Sequence, residues 1–433
     1  MTLKNADDDF LDSLHNVLPD DVLGGAEGGY FEEPRARFTG RAGAIARPRD
    51  TAAVSTILRQ CNEAGVPVVP YAGGTGLVGG QVMGEGPVPL LLSMERMTAI
   101  RSVDTTDNVM EVEAGAVLAS VQEAAAEADR LFPLSLASEG SARIGGVLGT
   151  NAGGVQVLRY GNARDLCLGI EAVLADGTVF NGMKRLRKDN TGYDLRNLMI
   201  GSEGTLGVIT AAVLRLYPAA RQTVTAVVAV PSARTGRDVL NLMRDRGGAM
   251  LTAFELIHRA GLDFLAETLP DLPVPFPEGH DWYALVELTS GAGLDLAALG
   301  EGALAEGMER GLILDAVIAQ TEAQRTALWQ VRESIPEANR LIGSISSHDI
   351  SVPVSRIPEF IDAGRAAIRA VDPALRINCF GHAGDGNLHY NVFPPQGQSR
   401  SDFEGIRAEV KRTVHDLADS FDGSVSAEHG EGR

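Results

Sequence analysis

Three glycine-rich clusters in the first half of the chain restrict what this half can fold into. They run from residue 71 to 80, from 138 to 154 and from 190 to 210, and glycine makes up 50 of the 433 residues. One such cluster alone is typical of tight turns. Three clusters, each beside an apolar run, favour a large ligand lying against the backbone. A pyrophosphate needs N–H donors that no Cβ obstructs, and a flat ring needs close approach.

The first cluster contains a dinucleotide-binding pattern that its surroundings do not support. Gly74, Gly76 and Gly79 form GxGxxG, which marks a nucleotide-binding turn only where a helix follows at once. The next residues, 81–87, read QVMGEGP, which is a poor helix sequence. A Rossmann turn is therefore disfavoured, whereas a glycine loop whose N–H groups bind an anion remains compatible with the sequence.

The overall charge and the cysteine content exclude several classes of protein. Lys plus Arg number 38 and Asp plus Glu 57, which gives a net charge of −19 and argues against binding to nucleic acid or anionic lipid. No apolar run approaches the roughly 20 residues of a membrane span, and the acidic N-terminus lacks the apolar segment of a secretory signal. Three distant cysteines, Cys61, Cys167 and Cys379, cannot build a disulfide framework or an iron–sulfur cluster. We expect a soluble, cytoplasmic protein without a membrane span.

The order of helical and strand-like segments predicts two α+β domains. Asp50 can cap a helix that ends at Gly65. After residue 218, longer helices alternate with strands, and one of them, residues 322–334, is expected to end before Pro336. We place the domain boundary near residue 218.

Two Asp-Gly pairs, Asp176-Gly177 and Asp385-Gly386, lie between strand-like runs and predict two-residue hairpin loops. In the second hairpin this register sets His382 directly opposite His389. Asn391 shares their face because side chains alternate along a strand with a period of two. Two imidazoles held side by side suit a divalent transition metal.

A third metal ligand would have to come from elsewhere in the chain. The sequence Ser-Ala-Glu428-His429-Gly offers a carboxylate and an imidazole, so three histidines and a glutamate fall within 48 residues of a chain with eight histidines in all. This clustering favours a site over isolated structural residues. On these residues alone, a zinc hydrolase that uses His382, His389 and Glu428 is an open alternative, with the glycine clusters as mere turns.

The glycine clusters resemble, in sequence and in order, the FAD-binding domain of the vanillyl-alcohol oxidase / p-cresol methylhydroxylase superfamily. The likeness is closer to its branch of D-2-hydroxyglutarate, D-lactate and glycolate dehydrogenases. The resemblance implies an α+β fold: a two-subdomain, PCMH-type FAD-binding domain over residues 1–218, and an α+β cap domain with an antiparallel sheet over 219–425, carrying the substrate and metal sites. Residues 426–433 would begin a segment that returns to the FAD domain. The motifs are VPYAGGTGLVGG, IGGVLGTNAGG, RYGNARD, NTGYDL and IGSEGTLGVIT.

The resemblance also implies which residues bind FAD. Some superfamily members attach FAD covalently through a histidine of the first cluster, but this chain has no histidine between His15 and His258. We therefore expect non-covalent FAD. Cys167 could form a link, although its apolar strand favours a buried free thiol. The implied FAD-binding residues are Gly73, Gly74, Thr75, Gly76, Leu77, Gly140, Ser141, Gly145, Gly146, Thr150, Asn151, Gly153, Glu203, Gly204 and Ile209.

The C-terminal motifs GHAGDGNLHYN and SAEHG match the metal and catalytic motifs of the same family. By resemblance, His382, His389 and Glu428 bind a divalent metal, with zinc the expected ion, and His429 is the catalytic base. His382 and His429 would also contact the substrate. A metal that binds the α-hydroxyl lowers its pKa, a nearby histidine can take the proton, and C2 can then release hydride to flavin N5.

The expected substrate contacts depart from the family's dicarboxylate pattern. By resemblance, Asn391 helps hold the substrate and Arg332 grips its α-carboxylate as a fork. The alternative for Arg332 is a pair with an acidic neighbour on a helix surface. Relatives usually carry Lys where this chain has Ser347, and Thr near the position of Pro336, as a grip on a second carboxylate. Arg340 could substitute, so the sequence leaves open whether the substrate resembles 2-hydroxyglutarate or lactate.

Taken together, the residues and the resemblance imply an FAD- and metal-dependent dehydrogenase that oxidises a D-2-hydroxyacid. Its electron acceptor would be an electron-transfer flavoprotein, a quinone or a cytochrome, and a homodimer is compatible with the sequence. Besides the zinc hydrolase, an FAD-binding subunit of a glycolate oxidase-type complex is an alternative. Relatives usually continue past the position of Arg433 to a DPxxxxNPGK-like tail. We therefore expect that the sequence is incomplete or that FAD is less well enclosed.

Overall fold

The chain forms two compact units. The computed structural model describes residues 3–428 and residue 430. The first unit holds the chain up to residue 153, residues 161–219 and the chain from residue 428, and the second holds residues 154–160 and 220–427. None of the helices in the described part has the length and apolar character needed to cross a bilayer.

The first unit opens with a small mixed sheet. Its elements are α1 (Asp8–His15), β1 (Leu23–Gly24), a 3-10 helix (Gly29–Phe31), β2 (Ala44–Ala46), α2 (Thr51–Ala64), β3 (Val68–Tyr71) and β4 (Leu90–Ser93). The strand order is β1-β2-β4-β3, with β2 and β3 parallel to β4. The predicted ends of α2 are confirmed: Asp50 accepts the Ala53 N–H at 2.8 Å, and Gly65 adopts a left-handed φ of 78°.

A five-stranded antiparallel sheet forms the rest of the first unit. The elements here are β5 (Ile100–Asp104), β6 (Val109–Glu113), α3 (Leu118–Glu127), β7 (Arg130–Leu131), α4 (Ile144–Gly149), α5 (Val157–Tyr160, part of the second unit), β8 (Cys167–Val173), β9 (Val179–Asn181), α6 (Leu195–Met199), β10 (Val208–Arg215) and β11 (Tyr217–Pro218). The order is β5-β6-β10-β8-β9, and β11 pairs with β7. The predicted hairpin at Asp176-Gly177 exists, but its loop has three residues because the Leu174 N–H donates to the Thr178 carbonyl.

The second unit is built on one seven-stranded sheet. Its elements are β12 (Gln222–Val230), α7 (Ala233–Gly247), a 3-10 helix (Gly248–Met250), β13 (Leu251–His258), α8 (Arg259–Thr268), β14 (Trp282–Ser290), α9 (Leu296–Glu309), β15 (Asp315–Ile318), α10 (Glu322–Ile342), β16 (Ser346–Ser351), a 3-10 helix (Val354–Arg356), α11 (Ile357–Val371), β17 (Arg376–Gly381), β18 (Asn387–Phe393), a 3-10 helix (Arg400–Ile406) and α12 (Arg407–Ser420). The order is β15-β12-β14-β13-β17-β18-β16, and each pair of neighbours is antiparallel. This confirms the expected α+β class with an antiparallel sheet.

Helices cover the two faces of this sheet unequally. On one face, α7, α9, α11 and α12 bury a core that includes Val239, Leu304, Phe360 and Val414. On the other face, among the helices of the described residues, α8 and α10 contribute the buried apolar side chains. Polar residues of β16 and β18 lie on this second face, which therefore offers room for a site.

Helix α10 runs past the position where it was expected to stop. Pro336 lies inside the helix, which ends at Gly343. The proline removes the hydrogen bond to the Arg332 carbonyl, yet Ile335 and Ala338 on either side of it are fully buried. Burial of this apolar stripe outweighs the loss of one backbone bond, so the predicted end at residue 334 is wrong.

A buried histidine in β16 makes the stability of the second unit depend on pH. His348 is 4% exposed, and neither of its ring nitrogens has a hydrogen-bond partner among the described residues. Burial, with His415 and Lys411 nearby, lowers its pKa from 6.5 to about 3. The unfolded chain therefore binds a proton below about pH 6.5 that the folded chain refuses until about pH 3. The free energy of unfolding should fall as the pH drops through this window.

Replacing His348 by leucine should flatten that pH dependence. Between pH 7 and 4.5, we expect the parent to lose about 2–3 kcal/mol more stability than His348→Leu. Both tryptophans, Trp282 and Trp329, lie in the second unit, so fluorescence during urea unfolding reports on it. Equal losses in parent and variant would show that His348 is not responsible.

Candidate active site

The structure brings the three glycine clusters together in the first unit, at the end of β3. A Cβ on Gly73 would lie 2.3 Å from the Ser141 carbonyl oxygen, and one on Gly146 would lie 2.9 Å from the Ala72 Cβ. Gly204, with φ +77°, would place a Cβ 2.9 Å from Pro70 Cγ. Glycine is therefore required where the clusters touch, because a side chain would separate them.

The first loop presents a row of backbone donors. Residues 73–77 are half-buried, and within residues 3–428 and 430 no acceptor pairs with their N–H groups. The side-chain amide of Gln81 stabilises the loop by donating to the Gly74 carbonyl at 3.4 Å and to the Gly76 carbonyl at 2.6 Å. Clustered N–H groups of this kind bind a pyrophosphate, so the residues present fit the anionic part of FAD.

The other implied FAD residues lie around the same clusters. Asn151 and Glu203 hold left-handed backbones with φ of 53° and 52°. The Glu203 N–H donates to the Gly149 carbonyl at 2.8 Å, which ties the third cluster to the second. A Cβ on Gly140 or Gly149 would meet open space, as expected for glycines that face a ligand. Thr150 donates to the Gly146 carbonyl, Gly145 donates to the Ala114 carbonyl, and Ile209 is buried in β10.

Adding a methyl group at Gly73 should weaken FAD binding. In Gly73→Ala the new Cβ must push aside the Ser141 backbone, which is a costly overpacking. We expect FAD affinity to fall by about ten- to a hundredfold, measured by titrating FAD into the apoprotein. Gly29→Ala is the matched control, because nothing lies within 4 Å of its Cβ. FAD binding within a few-fold of the parent in Gly73→Ala would contradict this arrangement.

Cys167 is poorly suited to a covalent flavin link. Its thiol is buried in β8 and donates to the Gly169 carbonyl at 3.2 Å. Burial raises its pKa to about 12, so the nucleophilic thiolate is scarce near neutral pH.

In the second unit, the hairpin that carries His382 and His389 has a different register from the predicted one. Phe380, not His382, lies opposite His389. The turn spans residues 382–386, because the Asp385 N–H donates to the His382 carbonyl at 3.1 Å and the Asp385 carboxylate accepts the Asn387 N–H at 3.1 Å. The predicted two-residue loop and direct pairing are therefore wrong.

The two imidazoles nevertheless lie side by side. The shift of two residues keeps His382 on the face of His389, and their ring centroids are 5.4 Å apart at 81°. Asn391, buried at 6%, lies two residues further along the same face of β18. His382 and His389 therefore each offer a ring nitrogen on this face as a candidate metal ligand. Glu428 follows Ala427, whose N–H donates to the Asp349 carbonyl.

Glu255 is the residue that sequence analysis missed. It is fully buried in β13, where its Oε1 lies 2.6 Å from His382 Nδ1 and its Oε2 accepts the Arg332 Nε–H at 2.7 Å. Burial alone would raise the pKa of Glu255, but the charges and hydrogen bonds of His382 and Arg332 outweigh it and hold this pKa at about 2. Glu255 is therefore ionised. A carboxylate in the buried strand Leu251–His258, flanked on both sides by Phe254 and Leu256, was the available signal.

Arg332 is neither on a helix surface nor paired with a helix neighbour. Its side chain is 6% exposed, and its guanidinium carbon lies 4.8 Å from the Phe380 ring centroid. Only Nε is engaged by Glu255; the two Nη atoms meet no acceptor in the part of the chain that the structure describes. These Nη atoms suit a carboxylate ligand.

The remaining predicted substrate positions lie at the edge of this face. Ser347 on β16 pairs with Asn391, and its hydroxyl is 2.6 Å from that of Ser344. Arg340 lies on the exposed side of α10 and forms two bonds of 2.7 Å to Glu337. The predicted base, His429, lies outside the described residues.

Comparison with known proteins supports FAD binding by the glycine clusters and the predicted fold. A family model for an FAD binding domain matches residues 42–182, and one for the C-terminal domain of FAD linked oxidases matches residues 219–433. A D-2-hydroxyglutarate dehydrogenase of Xanthomonas citri pv. viticola is 37% identical over 403 residues, which cover 93% of this chain and 84% of the relative. A Schizosaccharomyces pombe protein provisionally named a mitochondrial D-lactate dehydrogenase is 34% identical over 412 residues, with coverage of 92% and 76%.

A solved structure shares the fold at low identity. Substrate-bound p-cresol methylhydroxylase matches with a TM-score of 0.73 at 15% identity, over 100% of this chain and 92% of that one. The PCMH-type architecture expected from the motifs is thereby confirmed. The zinc hydrolase alternative is wrong, because one family model describes an FAD binding domain and the other describes FAD linked oxidases. The chain belongs to the FAD-linked oxidase family and is an FAD-dependent oxidoreductase.

Proposed function

We propose that this protein oxidises a D-2-hydroxyacid to the 2-oxoacid, using non-covalent FAD and a divalent metal, with zinc the expected ion. The observation that carries the proposal is that a carboxylate-binding group and a candidate metal ligand contact the same buried side chain. Arg332, whose Nη atoms suit a carboxylate, shares the Glu255 carboxylate with the candidate metal ligand His382. A 2-hydroxyacid offers a carboxylate and a hydroxyl on adjacent atoms. The names of the D-2-hydroxyglutarate dehydrogenase relatives support the same substrate class.

The donor set fits a divalent metal. The imidazoles of His382 and His389, with the Glu428 carboxylate as the proposed third ligand, are the ligand types that zinc and related ions prefer, and three protein ligands leave a position for substrate. His382 and His389 each have a carboxylate beside Nδ1, Glu255 at 2.6 Å and Asp349 at 3.6 Å. Such carboxylates orient imidazole ligands. A metal held there would lower the pKa of the substrate hydroxyl.

Residues of the chain bind the substrate and accept its proton. Arg332 holds the α-carboxylate, and Asn391 is placed on the same face as His389 to hold the substrate. His429, next in sequence to Glu428, takes the hydroxyl proton as general base. FAD supplies the redox chemistry when bound, receiving the hydride from C2 at N5. The electron acceptor of the proposed enzyme would be an electron-transfer flavoprotein, a quinone or a cytochrome.

A screen of D- and L-2-hydroxyacids with an artificial dye acceptor tests the proposed function. We expect activity on D-isomers only, and a kcat/KM for D-lactate within about ten- to a hundredfold of that for D-2-hydroxyglutarate. Ser347 stands where the family resemblance implies a lysine for the second carboxylate of 2-hydroxyglutarate, and Arg340 is bound to Glu337 instead. The loss of one charge-assisted contact is worth about 1.5–3 kcal/mol. A preference for hydroxyglutarate of about a thousandfold would show that another cation binds it.

The same screen separates this function from its alternative. A flavin-loaded chain without dye-linked activity on any 2-hydroxyacid would instead indicate a subunit that works only within a glycolate oxidase-type complex. Activity of the isolated chain would exclude that requirement.

A further inference from the structure

Resting on the proposed function, we infer that Glu255 is a positioning residue that couples metal binding at His382 to carboxylate binding at Arg332. Its two carboxylate oxygens are divided between these side chains, Oε1 at 2.6 Å from His382 Nδ1 and Oε2 at 2.7 Å from Arg332 Nε. The exposed fractions of the three side chains are 0% for Glu255, 6% for Arg332 and 8% for His382. Water therefore competes little for these contacts.

The contact with His382 fixes which nitrogen of its ring can meet a metal. Glu255 already accepts the Arg332 Nε–H, and a carboxylate that faces a guanidinium acts as an acceptor. Nδ1 of His382, 2.6 Å from the other carboxylate oxygen, is therefore placed to donate, and Nε2 of the neutral ring then carries the lone pair. Nε2 is on the side of the ring away from Glu255. The carboxylate thus selects the tautomer that can bind a metal and holds the ring's orientation.

The contact with Arg332 acts in the same way on the substrate side. Glu255 takes the Nε–H, which leaves the edge formed by the two Nη atoms for another anion. Phe380, against which the guanidinium stacks at 4.8 Å, is the strand partner of His389. The Arg332 guanidinium and the His389 imidazole are therefore both placed at the same position of the β17–β18 pair.

Sharing one carboxylate links the two binding events. A metal on His382 would strengthen the His382–Glu255 contact and so fix the carboxylate that orients Arg332. An anion on Arg332 would fix the same carboxylate and so favour metal binding at His382. Thermodynamic linkage requires the two effects to be equal. Metal should tighten binding of a 2-oxoacid, and the 2-oxoacid should tighten binding of metal by the same factor.

The test compares Glu255→Gln with Glu287→Gln. Glu287 is a matched control, because it is also a buried carboxylate of the same sheet, at 7% exposure, but it accepts hydrogen bonds from Thr225 and Trp329 instead. In the FAD-loaded protein we expect Glu255→Gln to bind Zn²⁺ about ten- to a hundredfold more weakly than the parent. Glu287→Gln should stay within a few-fold. With Co²⁺ in place of Zn²⁺, the visible spectrum should change only in Glu255→Gln.

Coupling is measured with 2-oxoglutarate, whose binding is followed by the flavin spectrum with and without Zn²⁺. The parent should bind it more tightly with Zn²⁺, and this ratio should be smaller in Glu255→Gln, where only the direct contact between metal and oxoacid remains. Should Glu255→Gln fail to fold, Glu255→Asp retains the charge but withdraws it by one methylene, and we expect the same loss of coupling. Unchanged Zn²⁺ affinity and an unchanged ratio would overturn the inference alone. A parent that binds no Zn²⁺ would overturn the proposed metal site as well.

Discussion

Replacing His389 by alanine is expected to lower turnover with a D-2-hydroxyacid by roughly a thousandfold or more, because the loss of a metal that stabilises developing charge costs several kcal/mol in the transition state. The variant should purify without its metal yet retain FAD. The glycine clusters that would hold FAD belong to the first unit, whereas His389 lies on β18 of the second. Elemental analysis and the flavin absorbance, read on the same sample, check both halves of this expectation.

A control histidine separates metal loss from damage to the second unit. His280 lies in the same unit and contacts the ring of Tyr283, away from β18. His280→Ala should keep its metal and most of its activity. His389→Ala that still held one equivalent of zinc, or that turned over at the parent rate, would remove His389 from the metal site.

Local signals were enough to predict the parts of the fold that depend on neighbouring residues. Helix α2 begins and ends where Asp50 and Gly65 place it, because a cap and a left-handed glycine act within a few residues. The extent of α10 depends instead on what covers it. Pro336 argues for a helix end, but burial of Ile335 and Ala338 against the sheet carries the helix past it.

The hairpin loops show how a local rule can fail by one or two residues. Asp-Gly predicts a two-residue loop, yet in both hairpins the aspartate side chain accepts the N–H two residues ahead, Asp176 from Thr178 and Asp385 from Asn387. This side-chain turn competes with the tight backbone turn and lengthens the loop. His382 and His389, the candidate metal ligands of this hairpin, still lie together because a shift of two residues preserves the face of a strand.

Long-range partners could not be predicted from the sequence. Glu255 stands 127 residues before His382 and 77 before Arg332, and no spacing rule connects positions so far apart. Its local signal is a carboxylate between two apolar neighbours, Phe254 and Leu256, in a strand-like run. The strand order sets β13 next to β17, which brings Glu255 to His382. Helix α10 packs on the same face of the sheet and brings Arg332 to Glu255.

The other large effect is expected at His429. Removing a positioned general base costs about 10²–10⁴ in rate, so His429→Ala should slow reduction of the flavin by D-2-hydroxyacid by that factor. Substrate binding should weaken far less, since Arg332 and the metal ligands remain. With an ordinary pKa of about 6.5, a histidine is mostly neutral at pH 7.5 and can accept the hydroxyl proton. Anaerobic stopped-flow measurement of flavin reduction gives the rate at saturating substrate and the apparent Kd separately.

Metal content distinguishes this variant from the ligand variants. His429→Ala should purify with as much zinc as the parent, whereas His382→Ala and His389→Ala should lose zinc and activity together. The proton acceptor also sets the pH profile: the parent's reduction rate should rise with pH as an imidazole loses its proton, and this rise should be absent from the residual rate of His429→Ala. If His429→Ala kept its zinc and reduced its flavin within a few-fold of the parent rate, His429 would not be the base, and the proton would have to leave the substrate by another route.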